Sequence, residues 1–430
     1  MKLIYTKDGE EAQKIIDEII SRGTQKLAEV SGQVSEIIED VKKRGDEALR
    51  YYTKKFDGCD TEQIRVTPEE TDRAFESCSA RLLEVLSKAR DNISAYHSKQ
   101  LFSPVVTEED GRRLSQIVLP LKRVGIYVPG GSYPYPSTVL MNAVPAKCAG
   151  VPEIVMITPP GKDGSVDRNI LAAAKIAGVT EIYKAGGAQA VAALAYGTES
   201  IKSVDKICGP GNIYVTAAKK IVYGDVGIDM LAGPSEVLVI ADKYADPEFI
   251  AADMLAQAEH DPKSAAILIT NSEETAKAVI RETEIQLSLF PPDSIVHSSV
   301  RDYAAAIVCG SLDEAADISN RIAPEHLELN VRSYETLLEK ITNAGSVFLG
   351  EYTPEPVGDY YAGTNHTLPT SGTARFCSPL SAYDFMRRMS VLHYEKEALA
   401  EAKDDIILFA QTEGLHAHAE AVRRRFREDE

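Results

Sequence analysis

From about residue 118, the sequence alternates short β-branched runs with Ala-rich stretches, and this alternation constrains the fold more than any other feature. Runs such as RVGIYV and EIVMIT are separated by helical stretches such as STVLMNAVPAKCAG. Strands that are joined through helices pair in parallel. A second series of strands begins at SEVLVIAD and ends at SVFLG. The middle of the chain is therefore predicted to hold two α/β units in tandem, with parallel sheets.

The flanking regions have the periodicity of helices. Residues 1–100 alternate charged and apolar positions at helical spacing, as in VSEIIEDVKKRGDEALRYY, and the chain beyond residue 375 is predicted to be helical throughout. The sequence thus predicts helical extensions before and after the two α/β units.

Composition excludes several classes of function. The net charge of −18 in 430 residues disfavours nucleic-acid binding, because phosphates require surfaces rich in Lys and Arg. No apolar run approaches the roughly 20 residues needed to cross a bilayer, and no signal peptide is expected. The six cysteines are scattered without a CxxC pair, which is typical of reduced thiols in a cytoplasmic protein.

The stretch AQAEHDP, residues 256–262, is a candidate ligand site. Gln257 and His260 stand three residues apart, so a helix would place both on one face, about 5–6 Å apart at Cβ. Imidazole nitrogen together with amide or carboxylate oxygen suits Zn²⁺. The loop-like segment GDYYAGTNHTLPT adds Asp359 and His366 as further candidates, although an ordered surface loop is the alternative.

Glu325 and His326 are adjacent in APEHLEL and offer two different bases. At a strand end or turn, a carboxylate and an imidazole can reach the same pocket, which suits a reaction with two deprotonations. The alternative is a helix start in which Glu325 is stabilised by the helix dipole.

Glycines follow three strands of the first α/β unit, at Gly130-Gly131, Gly186-Gly187 and Gly209-Pro210-Gly211. Ligands of open α/β sheets bind at the carboxyl ends of strands, where glycine allows close approach of a phosphate or ring. No G-x-G-x-x-G fingerprint is present, and turns that only end the strands are an equally good interpretation.

Together the motifs resemble the histidinol dehydrogenase family over essentially the whole chain. The resemblance is carried, in chain order, by GIYVPGG, GGAQA, CGPGN, LAGPSEVLVIAD, AQAEHD, APEHLEL, GDYYAGTNHTLPT and EGLHAHAEAV. It implies two tandem Rossmann-like α/β domains. Their expected borders are an N-terminal extension 1–25, a domain of 26–125 with 236–378, an NAD-contacting domain 126–235, and a C-terminal tail 379–430.

The resemblance also implies site residues, position by position. The implied zinc ligands, which also contact substrate, are Gln257, His260, Asp359 and His418. The implied catalytic pair is Glu325 and His326, with further substrate contacts at Ser235, His366 and Glu413. The implied NAD contacts are Tyr127, Gln189 and Asn212. His416 falls on a variable position of the family motif and is expected to be structural.

The activity implied by the resemblance is the four-electron oxidation of L-histidinol to L-histidine, through bound L-histidinaldehyde, with two NAD⁺ and one Zn²⁺ per subunit. His326 would act as base in both oxidations, and Glu325 would activate water to hydrate the aldehyde. The family implies a homodimer whose C-terminal tails are exchanged, so that Glu413 and His418 would complete the partner's site.

Three other hypotheses for the function stay open at this point. A thiol-dependent aldehyde dehydrogenase would use Cys208 as nucleophile. A zinc hydrolase would use Glu325 to activate water. A non-catalytic homologue would retain the scaffold alone, although the intact candidate ligands and bases disfavour this.

Overall fold

A computed structural model describes residues 1–21, 27–60, 62–130 and 134–426. Gly131 and the expected border between residues 25 and 26 lie outside the described residues. The described chain divides into two compact units, Met1–Gln100 with Leu121–Phe385, and Leu101–Pro120 with Met386–Glu430. Each unit is described by itself.

The described helices are α1 Glu10–Ser21, α2 Leu27–Arg44, α3 Asp46–Asp57, α4 Pro68–Ser77, α5 Ala80–His97, α6 Pro136–Cys148, α7 Arg168–Ala177, α8 Gly187–Tyr196, α9 Ile213–Val222, α10 Pro247–Ala258, α11 Glu273–Leu287, α12 Ile295–Tyr303, α13 Leu312–Ile322, α14 Tyr334–Leu338, α15 Glu355–Tyr360, α16 Lys396–Thr412 and α17 His416–Arg423. The described strands are β1 Lys2–Tyr5, β2 Val105–Glu109, β3 Arg112–Pro120, β4 Arg123–Tyr127, β5 Glu153–Thr158, β6 Glu181–Lys184, β7 Lys206–Cys208, β8 Gly227–Ile228, β9 Glu236–Ala241, β10 Ala265–Thr270, β11 Ala304–Val308, β12 His326–Asn330, β13 Ser346–Leu349 and β14 Met386–Tyr394.

The first α/β unit forms a parallel sheet in the order β6-β5-β4-β7-β8. The order in which successive strands are added reverses between β4 and β7, which is the place where open α/β sheets leave a crevice at the carboxyl ends of their strands. Two of the helices along this sheet, α7 and α9, begin with side-chain caps. For example, the Asp167 side chain accepts a hydrogen bond from Asn169 N (2.7 Å) at the start of α7.

The second α/β unit forms a parallel sheet in the order β1-β11-β10-β9-β12-β13. Apart from the added β1, the order repeats that of the first sheet. Apolar residues on both faces of β9 and β10 pack against helices, as expected for parallel strands that are buried on both sides. The predicted fold class, two tandem Rossmann-like domains with parallel-rich sheets, is confirmed.

Packing of the N-terminal half differs from the expected division. Residues Lys2–Tyr5 form an edge strand of the second sheet, where helix was predicted, and they pair with Ala305–Val308. Helices α2 and α3 pack with α8 and α9 on the first sheet, whereas residues 26–125 were expected to join the second domain. Helical periodicity shows which face of a helix is buried but does not show which sheet buries it, and the exact domain borders stay a prediction.

The second compact unit, Leu101–Pro120 with Met386–Glu430, is separate from the two α/β units. It holds a three-stranded antiparallel sheet in the order β14-β3-β2, followed by α16 and α17. The prediction that the chain beyond residue 375 is helical throughout is therefore wrong for Met386–Tyr394. This segment pairs with Arg112–Pro120, more than 250 residues earlier in the chain, and a local sequence window contains no sign of such a partner. Among the described residues, no helix is both long enough and apolar enough to cross a membrane.

Candidate active site

The candidate site lies at the amino-terminal edge of the second sheet. Strands β9 and β12 begin there at Glu236 and His326, and α10 ends there before the chain enters β10. Open α/β sheets usually bind ligands at the opposite edge. The glycine-rich turns of the first sheet lie at the carboxyl ends of its strands, whereas the candidate residues of the second sheet lie at the amino-terminal edge.

Alternation along β12 separates a polar face from an apolar face. Leu327 and Leu329 are fully buried in the cluster that includes α13, whereas Glu328 faces α10 and hydrogen-bonds Asp253. Because side chains of a strand alternate, His326 shares the face of Glu328. The strand therefore supplies buried carboxylate and imidazole groups on one side and core on the other.

The end of α10 carries Gln257, as predicted, but His260 lies two residues beyond Ala258, the last residue of the helix. Gln257 lies in the last turn and is fully buried, and the His260 backbone N–H donates to Gln257 O (3.3 Å) just after the helix ends. The His260 side chain is 35% exposed, with Nε2 4.0 Å from Glu355 Oε1. His260 is thus partly open to solvent, whereas Gln257 is enclosed.

Helix α15 contributes Glu355 and Asp359, four residues apart on one face. One ligand atom each from His260, Glu355 and Asp359 can be chosen so that all lie within 4.8 Å of one another, a spacing that suits one metal ion. With its amide nitrogen turned toward α15, Gln257 donates to Glu355 Oε2 at 3.0 Å. Sequence analysis missed Glu355; its spacing from Asp359 was the signal that could have identified it.

The surroundings of this cluster are strongly acidic. Burial raises the pKa of Glu355 well above its usual range, and the charges of Asp359, Glu325 and Glu328 raise it further. Burial and Asp253 likewise raise the pKa of Glu328. Carboxylates gathered in this way are costly without a compensating cation. The oxygen and nitrogen donors present therefore fit a divalent ion such as Zn²⁺.

One tautomer of His326 fits the Glu236 carbonyl. Nδ1 lies 3.1 Å from Glu236 O, which can only accept, so a hydrogen bond there requires the hydrogen on Nδ1. The Gln257 amide nitrogen, which lies 3.2 Å from Nδ1 when it is turned toward α15, then donates to Glu355 and not to the ring. Nε2 is then the basic atom; it is buried, lies 3.8 Å from Asp359 Oδ1 and has no hydrogen-bond partner in the part of the chain that the structure describes. Burial lowers the pKa of His326 to about 4, so the ring is neutral at pH 7.

Glu325 lies beside His326, with Oε2 3.9 Å from His326 Nδ1. Strand register explains its environment, because β12 runs next to β9 and the Glu236 backbone N–H donates to Glu325 Oε2 at 3.1 Å. Burial and then the Glu236 charge raise the pKa of Glu325, while hydrogen bonds from Glu236 N and the Ser235 side chain oppose the shift. Ser235 is thus in contact with one of the two predicted bases.

The 362–372 loop brings His366 to the same region. Burial lowers the pKa of His366, the nearby Asp359 raises it and His260 lowers it further. The neighbours of His366 fix the loop to α6: Asn365 Nδ2 donates to Met141 O (2.6 Å), and Asn142 Nδ2 donates to Thr367 Oγ1 (3.3 Å). The loop therefore connects the site to the helix that follows β4 of the first sheet.

The three predicted NAD contacts lie at the carboxyl ends of the first sheet. Tyr127 ends β4 and is buried, and its hydroxyl accepts a hydrogen bond from Gly187 N (3.0 Å) at the start of α8. Gln189 is 1% exposed, and neither of its amide atoms has a hydrogen-bond partner among the described residues. Asn212 caps α9 through its side-chain oxygen. Buried amide atoms without partners fit a ligand that both donates and accepts.

The structure thus brings together Ser235, Gln257, His260, Glu325, His326, Asp359 and His366. Glu413 and His418 lie in the second compact unit, the one that contains Met386–Glu430, at the C-terminal end of α16 and on α17. Both residues are exposed. Their part in the site stays a prediction.

Comparison with known proteins decides the family. Residues 20–426 match the family model described as histidinol dehydrogenase. The chain belongs to the histidinol dehydrogenase family. A histidinol dehydrogenase of Heliobacterium mobile is 54% identical over 409 residues, which cover 94% of this chain and 96% of that protein. The histidinol dehydrogenase of Lactococcus lactis is 51% identical, with 97% of both chains covered.

A solved structure supports the same assignment. The crystal structure of histidinol dehydrogenase from Elizabethkingia anophelis superimposes with a TM-score of 0.93 at 41% identity, covering 99% of this chain and 98% of that one. The family resemblance found in the sequence is therefore confirmed across nearly the whole chain.

Proposed function

We propose that this chain is a histidinol dehydrogenase that oxidises L-histidinol to L-histidine, with two NAD⁺ as acceptors and Zn²⁺ in the site. The observation that carries the proposal is the Nε2 of His326, which is buried, has no hydrogen-bond partner among the described residues and faces the cluster of His260, Glu355 and Asp359. A neutral imidazole whose Nδ1 carries the hydrogen offers the lone pair of Nε2 to the proton of an alcohol.

The residues suit the steps of this reaction. His326 Nε2 accepts the hydroxyl proton while the Nδ1 hydrogen bond to Glu236 O keeps the ring oriented. The carboxyl of Glu325 has a raised pKa, which makes it a stronger base when ionised, and it activates water for hydration of the aldehyde. His326 then accepts a proton again in the second oxidation. Loss of four electrons from one carbon requires two such oxidations.

The zinc ligands that we propose are Gln257, His260, Asp359 and the partner subunit's His418. Bound Zn²⁺ would supply a fixed positive charge that orients the substrate's imidazole and amine. Glu355 accepts the Gln257 amide N–H, which leaves the Gln257 oxygen as the atom that would bind the ion. His366 and Ser235, with the partner subunit's Glu413, complete the substrate contacts.

For the cofactor, we propose Tyr127, Gln189 and Asn212. Bound NAD⁺ would supply the hydride acceptor. Both amide atoms of Gln189, which have no hydrogen-bond partner in the described part of the chain, supply the donor and acceptor that a nicotinamide or ribose group needs. The loop containing His366 connects this region to the substrate side. We also propose a cytoplasmic homodimer with exchanged C-terminal tails, which acts in histidine biosynthesis.

The test is a stoichiometric assay with zinc-loaded protein, L-histidinol and NAD⁺. We expect two NADH and one histidine per histidinol consumed, loss of activity on chelation and its return with Zn²⁺. His326→Ala should abolish turnover, whereas the matched control His297→Ala, on α12, should not. Folded, zinc-loaded protein that forms no NADH from histidinol would overturn the proposal.

A further inference from the structure

A buried ion pair lies next to the turn that joins β7 to α9. Lys219, on α9, and Asp229, just after β8, form the pair, with side chains that are only 3% and 1% exposed. Neither residue belongs to the zinc, substrate or NAD positions carried over from the family.

Both partners of the pair bind the backbone of a single residue. Asp229 Oδ2 accepts a hydrogen bond from Gly209 N (2.7 Å), and Lys219 Nζ donates to Gly209 O (3.0 Å). One ion pair thus satisfies both backbone polar groups of Gly209. Charge-assisted hydrogen bonds of this kind are shorter and stronger than neutral ones.

Gly209 is also constrained by its packing. Its φ is +109°, a conformation that favours glycine, and a Cβ at this position would lie 2.2 Å from Tyr127 O. Three residues further on, Asn212 Oδ1 accepts hydrogen bonds from Tyr214 N (3.0 Å) and Val215 N (3.2 Å). The turn from Gly209 to Asn212 therefore packs against the end of β4 and begins α9.

Stability alone does not account for a charged pair at this place. Inward positions of α9 otherwise carry buried apolar residues such as Val215 and Val222, and a long apolar side chain at position 219 would suit the same environment. Buried ion pairs contribute little net stability compared with well-packed apolar groups, and their attested use is to fix one geometry. Here that geometry is the path of the Gly209 backbone.

We propose that Lys219 and Asp229 are positioning residues that hold the Gly209–Asn212 turn in the conformation that binds the dinucleotide. This rests on the proposed function, in which Tyr127 and Asn212 contact NAD⁺. The pair acts through the Gly209 backbone and orders the turn before the cofactor binds, so that cofactor binding does not include the entropy cost of ordering it.

The test compares cofactor binding in variants by calorimetry. The double variant Lys219→Met with Asp229→Asn removes both charges together, so that no uncompensated buried charge remains. We expect its Kd for NAD⁺ to rise about tenfold, which corresponds to about 1.4 kcal/mol. Its Kd for Zn²⁺ and its kcat at saturating NAD⁺ should stay close to wild type. Lys219→Arg should retain most of the affinity, and the exposed neighbour Lys220→Met serves as control.

An unchanged NAD⁺ affinity in the folded double variant would overturn the proposal. If that variant does not fold, hydrogen exchange of the wild-type protein tests whether the turn is ordered before NAD⁺ binds. The Gly209 amide should be strongly protected before NAD⁺ is added, and protection that appears only with NAD⁺ would refute an ordered turn. Wild-type protein that binds no NAD⁺ would instead refute the proposed function.

Discussion

Replacement of Glu355 by glutamine tests the acidic cluster most directly. The substitution should lower the affinity for Zn²⁺ but should not lower the stability of the metal-free protein. Glu355 is 2% exposed, accepts the Gln257 amide N–H at 3.0 Å and lies within the His260–Asp359 cluster. Glutamine keeps the shape and one acceptor oxygen but removes the charge. The charge-assisted hydrogen bond to Gln257 becomes a weaker neutral one.

Loss of a partner that orients a metal ligand typically lowers metal affinity by about 10–100-fold, and we expect a loss of this size for Zn²⁺, or ~1.4–2.7 kcal/mol. The metal-free protein should not lose stability. The substitution removes one of several buried carboxylates, which repel one another, as the raised pKa values of Glu355 and Glu325 show. Its melting temperature should therefore equal or exceed that of metal-free wild type.

The assay is titration of chelator-stripped protein with Zn²⁺ against a competing fluorescent chelator, together with thermal melts of the metal-free proteins. Glu351→Gln, an exposed position just before α15, is the matched control and should change neither quantity. Glu355→Asp keeps the charge on a shorter side chain, and its Zn²⁺ affinity should lie between those of wild type and Glu355→Gln. A Zn²⁺ affinity of Glu355→Gln equal to wild type would refute a role for this carboxylate in the metal site.

Three further predictions concern other parts of the chain. Cys208→Ser should keep most of the activity, because Cys208 is fully buried and burial raises the pKa of its thiol well above its usual range; abolished turnover would instead favour the thiol mechanism. Glu70→Gln should lower the melting temperature at neutral pH by breaking the pair between Glu70, whose side chain is 24% exposed, and the buried Lys184 (2.7 Å), a loss of about 1.5–3 kcal/mol. Burial raises the pKa of Glu70, but the hydrogen bonds from Lys184 and Thr67 N outweigh burial and leave the pKa below 4.5. The stabilisation is therefore present above pH 4.5, and the difference in melting temperature between wild type and Glu70→Gln should vanish as the pH is lowered further. A difference that stays constant with pH would contradict this explanation. Mixing inactive His326→Ala with inactive His418→Ala protein, under conditions that exchange subunits, should restore some activity if the tails cross between protomers, and no recovery despite proven exchange would reject shared sites.

Much of the site could be read from the sequence because its residues lie in short, ordered motifs. The three-residue spacing of Gln257 and His260 predicts one helical face, and the structure keeps Gln257 in the last turn of α10 while His260 follows just after the helix ends. Glu325 and His326 are adjacent, so a single strand start sets both. What the motifs did not include was Glu355, whose partners come from α10 and β12 rather than from its own segment.

By itself, the sequence determined the two runs of parallel strands and helices, because apolar periodicity and β-branched runs act over a few residues. Only the tertiary structure decided which surfaces meet. The register of β9 against β12 puts the Glu236 carbonyl beside His326 Nδ1 and so selects the basic nitrogen. The pairing of Arg112–Pro120 with Met386–Tyr394 turned a predicted helix into a strand, because a partner distant in the chain supplies hydrogen bonds that local propensity cannot anticipate.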